Sequence, residues 1–219
     1  MDAFKNSSHN NRYRLPNIYG TIMNDLKTLS VYASHAQKYD ALTNHEVKTD
    51  PLLERFISGI PNGGRTLDIG CGPGNSAGIM AANGLQVDAW DLVSEMLQLT
   101  QRFPGVSTRL AGYADLDSFD LYDGIWSNFS MLHTPRSAWP LQMKAIKKAL
   151  CPNGLFHISL KLGIGEKRDK IGRLYSYVTE NELNDLLQAA GLEPKFTAYG
   201  RNKGLSGEIA DWIAVQARG

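Results

Sequence analysis

Strand and helix patterns alternate along the chain from Arg65 to its end, and this alternation constrains the fold more than any other feature of the sequence. Seven segments have the pattern of a strand: RTLDIG, LQVDAWD, VSTRLA, DGIWSN, LFHISLKL, KFTAYG and WIAVQA. Strands that alternate with helices usually form a parallel sheet through right-handed crossovers. The sequence therefore predicts an α/β fold with a doubly wound sheet. The last two strands have no clear helix between them, so antiparallel pairing at one edge is open to them.

Helix signals complete this pattern. Helices are predicted in the segments SAGIMAANG, SEMLQLTQRF, 137–150 and ENELNDLLQAAG, and a turn at 151–154 closes the third of these. Before the first strand, Asp50 and Pro51 are typical of a helix start, since the carboxylate caps free amides and proline suits the first helical position. Ser94 and Thr179 are predicted to cap two later helices. Residues spaced by three or four also predict an amphipathic helix near the N-terminus: Ile22, Leu26, Leu29, Ala33 and Ala36.

Composition excludes several classes of protein. The 219 residues are 42% hydrophobic, which is enough for a globular core. The 23 basic and 22 acidic residues give a net charge of +1, which disfavours a dedicated nucleic-acid binder. Cys71 and Cys151 form no C-x-x-C motif, so neither a disulfide scaffold nor a cysteine-rich zinc site is expected. The sequence contains no apolar run of membrane-spanning length, and we expect a cytoplasmic protein without a metal site.

The most informative motif is the loop after the first predicted strand, LDIGCGPGNS at 67–76. Its glycines let the backbone approach a ligand, although a plain strand-to-helix turn would also use them. Gly70 and Gly72 fit a dinucleotide loop, but the sixth position of that pattern is Asn75. The negative charge of Asp68 would repel a pyrophosphate, whereas it would attract a ligand that carries an ammonium group. Asp91, at the end of the next strand, can accept hydrogen bonds from ribose hydroxyls.

This loop, followed by the acidic strand end VDAWD, resembles the first motif and the second acidic position of class I S-adenosylmethionine-dependent methyltransferases. The resemblance extends from about Tyr32 to Ala217. It implies a Rossmann-like, seven-stranded, mostly parallel sheet with an antiparallel C-terminal edge, and S-adenosylmethionine as a cofactor that leaves as S-adenosylhomocysteine. The expected organisation is a mobile tail at 1–18, a helical lid at 19–60 and a cofactor-binding domain at 61–219. The segments 122–137 and 147–169 resemble the small bacterial methyltransferases related to tellurite-resistance and thiopurine enzymes.

The resemblance also implies which residues bind the cofactor. Asp68 and the glycine loop would lie against its amino-acid portion, Asp91 would bind the ribose, and Leu92 would pack on the adenine. An acidic residue for the adenine amine is expected at Asp115, with Asp117 also within reach, and Tyr113 is an alternative that flanks the ring. The full set of predicted cofactor residues is Asp68, Gly70, Cys71, Gly72, Gly74, Asp91, Leu92, Tyr113, Ala114, Asp115, Ser127 and Asn128.

Candidate residues for the methyl acceptor lie in three segments. His133 follows the fourth strand and is interpreted either as a substrate-facing base or as a structural histidine bonded to backbone. The segment 161–173 has five basic and two acidic residues, a local charge of +3, which indicates either a solvated loop or recognition of an anionic acceptor. The predicted acceptor residues are Tyr32, Tyr39, Phe129, Arg168, Arg173 and Tyr175, where the first two belong either to a lid or to ordinary packing.

The predicted reaction is methyl transfer by in-line displacement to a small-molecule acceptor. A base is needed only if the acceptor is protonated, because a thiolate is already nucleophilic. The fourth strand ends in S-N-F-S rather than N-P-P-Y or D-P-P-Y, which removes support for methylation of DNA amines. Two alternatives stay open: an RNA or protein methyltransferase, and a cofactor-binding protein without catalytic activity. The chain is expected to be a monomer or a homodimer.

Overall fold

The computed structural model describes residues 24–47 and 50–219. The predicted tail at 1–18, the first residues of the predicted lid and Ile22 lie outside the described residues. Two helices account for the rest of the predicted amphipathic segment, because the chain turns at His35 instead of continuing as one helix. The domain boundaries at 18 and 60 stay a prediction.

A seven-stranded sheet with the order β3-β2-β1-β4-β5-β9-β8 forms the centre of the fold. Strands β1 to β5 pair in parallel, whereas β9 lies antiparallel between β5 and β8, as predicted for the C-terminal edge. A separate hairpin consists of β6 and β7. The strands of the described residues are β1 (Arg65–Ile69), β2 (Gln86–Asp91), β3 (Val106–Leu110), β4 (Tyr122–Asn128), β5 (Leu150–Lys161), β6 (Glu166–Arg168), β7 (Leu174–Ser176), β8 (Glu193–Lys203) and β9 (Ile209–Arg218).

Helices cover both faces of this sheet. Short 3-10 turns lie at Tyr113–Asp115, Met131–His133 and Arg136–Ala138. The α-helices in the described ranges are α1 (Leu26–Ser34), α2 (Ala36–Val47), α3 (Pro51–Ser58), α4 (Asn75–Ala82), α5 (Ser94–Thr100), α6 (Trp139–Ala149) and α7 (Glu180–Ala189).

Side-chain alternation along the strands divides the core into two layers. On β4, Ile125 packs into the larger layer with α6 and α7, whereas the adjacent Trp126 packs into the other with α3 and α4. Successive side chains of a strand point to opposite faces, so both faces of this central strand are buried. A polar site can therefore form only where the strands end.

Helix caps agree with the sequence at two of three positions. The Asp50 carboxylate accepts a hydrogen bond from the Leu52 amide, and Thr179 forms a reciprocal capping box with Glu182. Ser94 was predicted as a cap but is the first residue inside α5. The predicted capping role of Ser94 is wrong. The turn before α5 is held instead by Asp91, whose carboxylate accepts a hydrogen bond from the Val93 amide.

Three boundaries differ from the predicted ones. Helix α6 covers Trp139–Ala149, because a 3-10 turn takes its first predicted residues. The predicted turn at 151–154 instead belongs to the irregular start of β5, where Asn153 has a left-handed φ of 62°. The connection between the last two strands is only 204–208, since β8 and β9 extend further than the predicted segments KFTAYG and WIAVQA.

Candidate active site

A cavity of about 490 Å³ opens where β1, β2 and β4 end. The loops after these strands form one end of it. The N-terminal helices, the β6–β7 hairpin and the connection between β8 and β9 enclose the other end. Ligands of doubly wound sheets bind at this edge, because the strand order reverses there between β1 and β4.

The loop after β1 requires its glycines for two separate reasons. Gly70, Gly72 and Gly74 have φ values of 73°, 54° and 79°, which side chains rarely adopt. A Cβ on Gly70 would also lie 2.3 Å from Cβ of Ser130. The first two glycines and Cys71 line the cavity, whereas Gly74 is the N-cap of α4 and packs against Thr100.

Asp91 joins two cavity loops through its carboxylate. One oxygen accepts from the Gly72 amide at 2.9 Å and the other accepts from the Val93 amide at 2.8 Å. Burial raises the pKa of this carboxyl to about 6, although both amide bonds oppose that shift. Asp91 and Leu92 line the cavity as the sequence predicts, and ribose binding by Asp91 stays a prediction.

Asp68 presents an unpartnered oxygen to the same end of the cavity. The residue is 3% exposed, and within the described residues its Oδ2 has no hydrogen-bond partner. Burial, together with the charge of Asp91, raises the pKa of the Asp68 carboxyl to about 8. A buried acid in this state is costly to ionise unless a cation or a donor reaches it.

Three predicted cofactor residues after the second strand do not line the cavity: Ala114, Asp115 and Ser127. Tyr113 lines the cavity, and its phenol lies 2.7 Å from Oγ of Ser127 and 2.5 Å from Oγ of Ser130. Asp115 turns back instead and accepts from the Gly112 amide at 3.0 Å, so it closes the 3-10 turn. Asp115 and Ala114 do not line the cavity, and Ser127 is covered by Tyr113. Asn128 does line it.

Aromatic side chains surround the other end of the cavity. The ring centroids of Tyr32 lie 5.2 Å from those of Tyr39 and His133, and Tyr175 lies 4.8 Å from His133. Phe129 meets Trp212 at 6.0 Å in an edge-to-face contact. The structure therefore brings together all four predicted aromatic acceptor residues, and it adds Trp212 from β9.

Both ring nitrogens of His133 are engaged. Nδ1 lies 2.6 Å from the Leu174 carbonyl oxygen, which can only accept, so Nδ1 carries the hydrogen. Burial lowers the pKa of His133 to about 3, which leaves Nε2 free to accept from the Tyr32 phenol at 2.8 Å. Arg173 in turn donates to that phenol at 2.6 Å. Both interpretations of His133 thus keep support, because it faces the cavity and is also bonded to backbone.

The two arginines predicted to recognise an acceptor have different environments. Arg168 lies outside the cavity lining, and its guanidinium donates two hydrogen bonds of 2.8 Å to Asp25 beside α1. Arg173 does line the cavity, but it is 1% exposed and paired with Asp169 at 2.7 Å. The segment 161–173, interpreted either as a solvated loop or as an anion-recognition loop, contains the exposed strand β6 of a β-hairpin, and the buried Arg173–Asp169 pair orders the turn of that hairpin.

Sequence reasoning missed several residues of the cavity. Lys161, the last residue of β5, and Trp212, opposite it on β9, line the acceptor end together with the connection after β8. Lys161 opens the basic segment 161–173 and ends a strand, and both were available signals although it was not among the predicted acceptor residues. The sequence around Trp212 gave no such signal. Trp212 reaches the cavity because β9 lies between β5 and β8, and this strand order cannot be read from a local pattern.

A model of the methyltransferase domain family matches residues 39–195. The chain belongs to this family. The match begins inside the predicted lid and covers the loops of the cavity. It confirms the prediction of a methyltransferase, while the finer resemblance to tellurite-resistance and thiopurine enzymes stays a prediction. No curated protein sequence matched the chain.

Solved structures show the same fold for this methyltransferase-family chain. The 1,6-didemethyltoxoflavin-N1-methyltransferase of Burkholderia thailandensis, with that compound and S-adenosylhomocysteine bound, is 24% identical, with a TM-score of 0.72 over 100% of this chain and 92% of that one. An S-adenosylmethionine-dependent methyltransferase of Methanosarcina mazei is 18% identical, with a TM-score of 0.67 over 77% and 97%. Phosphoethanolamine N-methyltransferase 2 of Haemonchus contortus, in complex with S-adenosylmethionine, is 15% identical, with a TM-score of 0.65 over 85% and 57%.

The cavity of this methyltransferase-family protein fits S-adenosylmethionine. In the described part of the chain, three buried polar atoms lack hydrogen-bond partners: Asp68 Oδ2, Trp126 Nε1 and Trp212 Nε1. All three residues line the cavity. Buried polar groups are rarely left unpaired, so these atoms point to a ligand or water that completes them. The ammonium of the cofactor's amino-acid portion matches the acid of Asp68.

Neither a metal site nor a membrane span is evident in the described ranges. Residues 24–47 and 50–219 contain no group of three metal-ligating side chains placed to hold an ion. Over the same ranges, every helix is too short or too polar to cross a bilayer.

Proposed function

We propose that this protein transfers a methyl group from S-adenosylmethionine to a small-molecule acceptor bound at the aromatic end of the cavity. The observation that carries the proposal is the cavity of about 490 Å³, which has acids and glycines at one end and aromatic and cationic side chains at the other. This volume lies in the range of small-molecule sites. The Burkholderia structure, with 1,6-didemethyltoxoflavin bound, supports a small acceptor on this fold.

The residues at the glycine end would hold the cofactor. Asp91 is proposed to accept from the ribose hydroxyls, since each of its oxygens has a lone pair beyond its present amide bond. Asp68 is proposed to orient the amino-acid portion through its unpartnered oxygen. When bound, S-adenosylmethionine supplies an electrophilic methyl group on a sulfonium. The chain's own contribution is therefore mainly alignment of the acceptor and exclusion of water.

The residues at the aromatic end would hold the acceptor. Tyr175 and Phe129 offer flat apolar walls, and Tyr32 closes the cavity from α1. An acceptor that must lose a proton would find the phenol of Tyr32, whose own hydrogen is directed at Nε2 of His133. An anionic acceptor is favoured by the cations at this end. The location in the cytoplasm and the monomeric or dimeric state remain predictions from the sequence.

A transfer assay tests the proposal. The purified chain is incubated with methyl-labelled S-adenosylmethionine and flat aromatic hydroxyl, amine and thiol compounds, with total tRNA as a separate arm. We expect a labelled small-molecule product together with S-adenosylhomocysteine. With tRNA we expect neither labelled tRNA nor steeply salt-dependent binding. Labelled tRNA with steeply salt-dependent binding would favour an RNA methyltransferase instead. Binding of S-adenosylhomocysteine without transfer to any acceptor would favour the non-catalytic alternative.

A further inference from the structure

Three cations line the acceptor end of the cavity: Arg173, Lys161 and Lys203. Arg173 donates from Nε and Nη2 to the Asp169 carboxylate at 2.9 and 2.7 Å, and it is buried with that partner. Lys161 also lines the cavity, yet among the described residues no carboxylate forms an ion pair with its ammonium. Lys203 is exposed at the end of β8, so water solvates its charge. The half-buried charge available to a ligand at this end is therefore that of Lys161.

The fold fixes where this ammonium lies. Lys161 is the last residue of β5 and pairs with Trp212 on β9, so both side chains leave the same face of the sheet. Nζ lies 3.9 Å from the centroid of the Tyr175 ring. A Cβ built on Gly204 would lie 3.7 Å from Nζ, which places the ammonium beneath the connection between β8 and β9. The ammonium thus lies between the ring of Tyr175 and the backbone at Gly204.

The charged groups around Lys161 leave its positive charge uncompensated, so one added anion could pair with it. Burial lowers the pKa of its ammonium, and the positive charges of Arg173 and Lys167 act in the same direction. Asp169 and Glu208 act in the opposite direction, but both are already bonded, to Arg173 and to Lys170 respectively. A half-buried cation of this kind gains most from a ligand that carries its own negative charge.

We propose that Lys161 recognises an anionic group on a flat aromatic acceptor, whose ring would contact Tyr175 and the pair of Phe129 and Trp212. This inference rests on the proposed function and names its acceptor class as aromatic acids and oxyanions. The specificity contact is Lys161 rather than Arg168 or Arg173, because Arg168 is tied to Asp25 and Arg173 is neutralised by Asp169. A lone ammonium recognises a carboxylate and a phenolate alike, since it is a point charge.

Matched acid and amide probes test this contact without turnover. The probes are 2-naphthoate against 2-naphthamide and 4-hydroxybenzoate against 4-hydroxybenzamide, titrated by calorimetry into the protein saturated with S-adenosylhomocysteine. The variants are Lys161→Met and Lys161→Arg. Lys167→Met is the matched control, because its ammonium also faces a tyrosine ring, Tyr177 at 5.0 Å, but lies outside the cavity lining.

We expect the wild type to prefer each acid to its amide, and Lys161→Met to weaken the acid by about tenfold to a hundredfold while the amide changes by less than about twofold. Lys161→Arg should retain most of the preference, and Lys167→Met all of it. Equal losses on acid and amide, or an unchanged acid preference in Lys161→Met, would overturn the proposal. So would a wild type that binds none of the four probes. Acid-selective binding without methyl transfer to any acceptor would contradict the proposed function but not the role of Lys161 in anion recognition.

Discussion

The phenol of Tyr32 donates to Nε2 of His133 across 2.8 Å, and this bond links α1 to the turn after β4. A substrate therefore reaches the basic nitrogen of His133 through Tyr32 rather than directly. Arg173 donates to the same phenol oxygen, so a negative charge that develops there would be stabilised. Burial holds the pKa of His133 at about 3, so a proton passes from an acceptor through Tyr32 to His133 only where bound acceptor and cofactor raise that pKa.

We expect Tyr32→Phe to lower kcat by about a hundredfold or more on acceptors that must lose a proton, which is the usual size of a general-base contribution. Transfer to a thiolate acceptor should change little, because no proton has to leave. His133→Asn is the companion variant, since its amide nitrogen can still donate to the Leu174 carbonyl, whereas its one acceptor, Oδ1, does not extend to the position of Nε2 that meets Tyr32. Equal losses on thiolates and hydroxyls in both variants would show that this bond only supports the fold.

Proton release on cofactor binding is the second prediction, and Asp68 is its source. In the empty protein the pKa of Asp68 is about 8, so most molecules carry this proton at pH 7. An ammonium that approaches Oδ2 favours the ionised form and drives the proton off. Calorimetry of S-adenosylhomocysteine in buffers of different ionisation enthalpy should therefore detect release of up to one proton, and affinity should rise with pH up to about pH 8.

The same shift affects the stability of the empty protein in the opposite direction. Because the folded state holds the Asp68 proton more tightly than the unfolded state does, the free energy of unfolding should fall as pH rises from about 4 to 8. Asp68→Asn removes both effects. If this variant still releases a proton on binding near pH 7, the assignment to Asp68 is wrong.

Asp91 carries the third prediction, in which two variants separate its two tasks. Asp91→Ala removes the acceptors for Gly72 and Val93 as well as the proposed ribose contact, and S-adenosylhomocysteine binding should weaken by about 1.5–3 kcal/mol. Asp91→Asn keeps one oxygen that can accept, so it should preserve thermal stability better than alanine does. Calorimetry that shows wild-type affinity in both variants would contradict the ribose assignment.

The sequence predicted the sheet well and placed Asp68 and Asp91 at the cavity, because the governing signals there are local. Alternating strands and helices set the order of β1 to β5, and Asp68 and Asp91 are placed by their position at strand ends. Asp115 was predicted at the cofactor, but its side chain found a nearer partner in the Gly112 amide. Short-range competition of this kind leaves no trace in a spacing pattern.

The acceptor end was harder to predict, since it depends on contacts between distant segments. Tyr32 meets His133 and Arg173 across 101 and 141 residues of sequence, and the burial of Arg173 follows from that meeting. A basic segment indicates positive charge, but it does not say which cation is already paired. The folded structure is needed to see that Arg168 is paired with Asp25, Arg173 is paired with Asp169, and Lys161 has no ion pair among the described residues.

The last prediction uses the contrast between the two ion pairs that the arginines of this hairpin form, Arg173 with Asp169 and Arg168 with Asp25. Side chains of Arg173 and Asp169 are 1% and 3% exposed, whereas those of Arg168 and Asp25 are 43% and 13% exposed. Exposed pairs contribute up to about 1 kcal/mol, but breaking a buried pair typically costs about 3–5 kcal/mol, because the remaining charge has no partner. Arg168→Gln should therefore lower the free energy of unfolding only slightly, and Arg173→Gln should lower it severely.

A double variant distinguishes pairing from other roles of Arg173. If the cost arises from the orphaned Asp169 carboxylate, Arg173→Met combined with Asp169→Leu should recover much of the stability that Arg173→Met alone loses, as measured by urea unfolding. Arg168→Gln with Asp25→Asn should show little coupling, since both groups reach water. Equal and additive losses in the two pairs would mean that burial does not separate them.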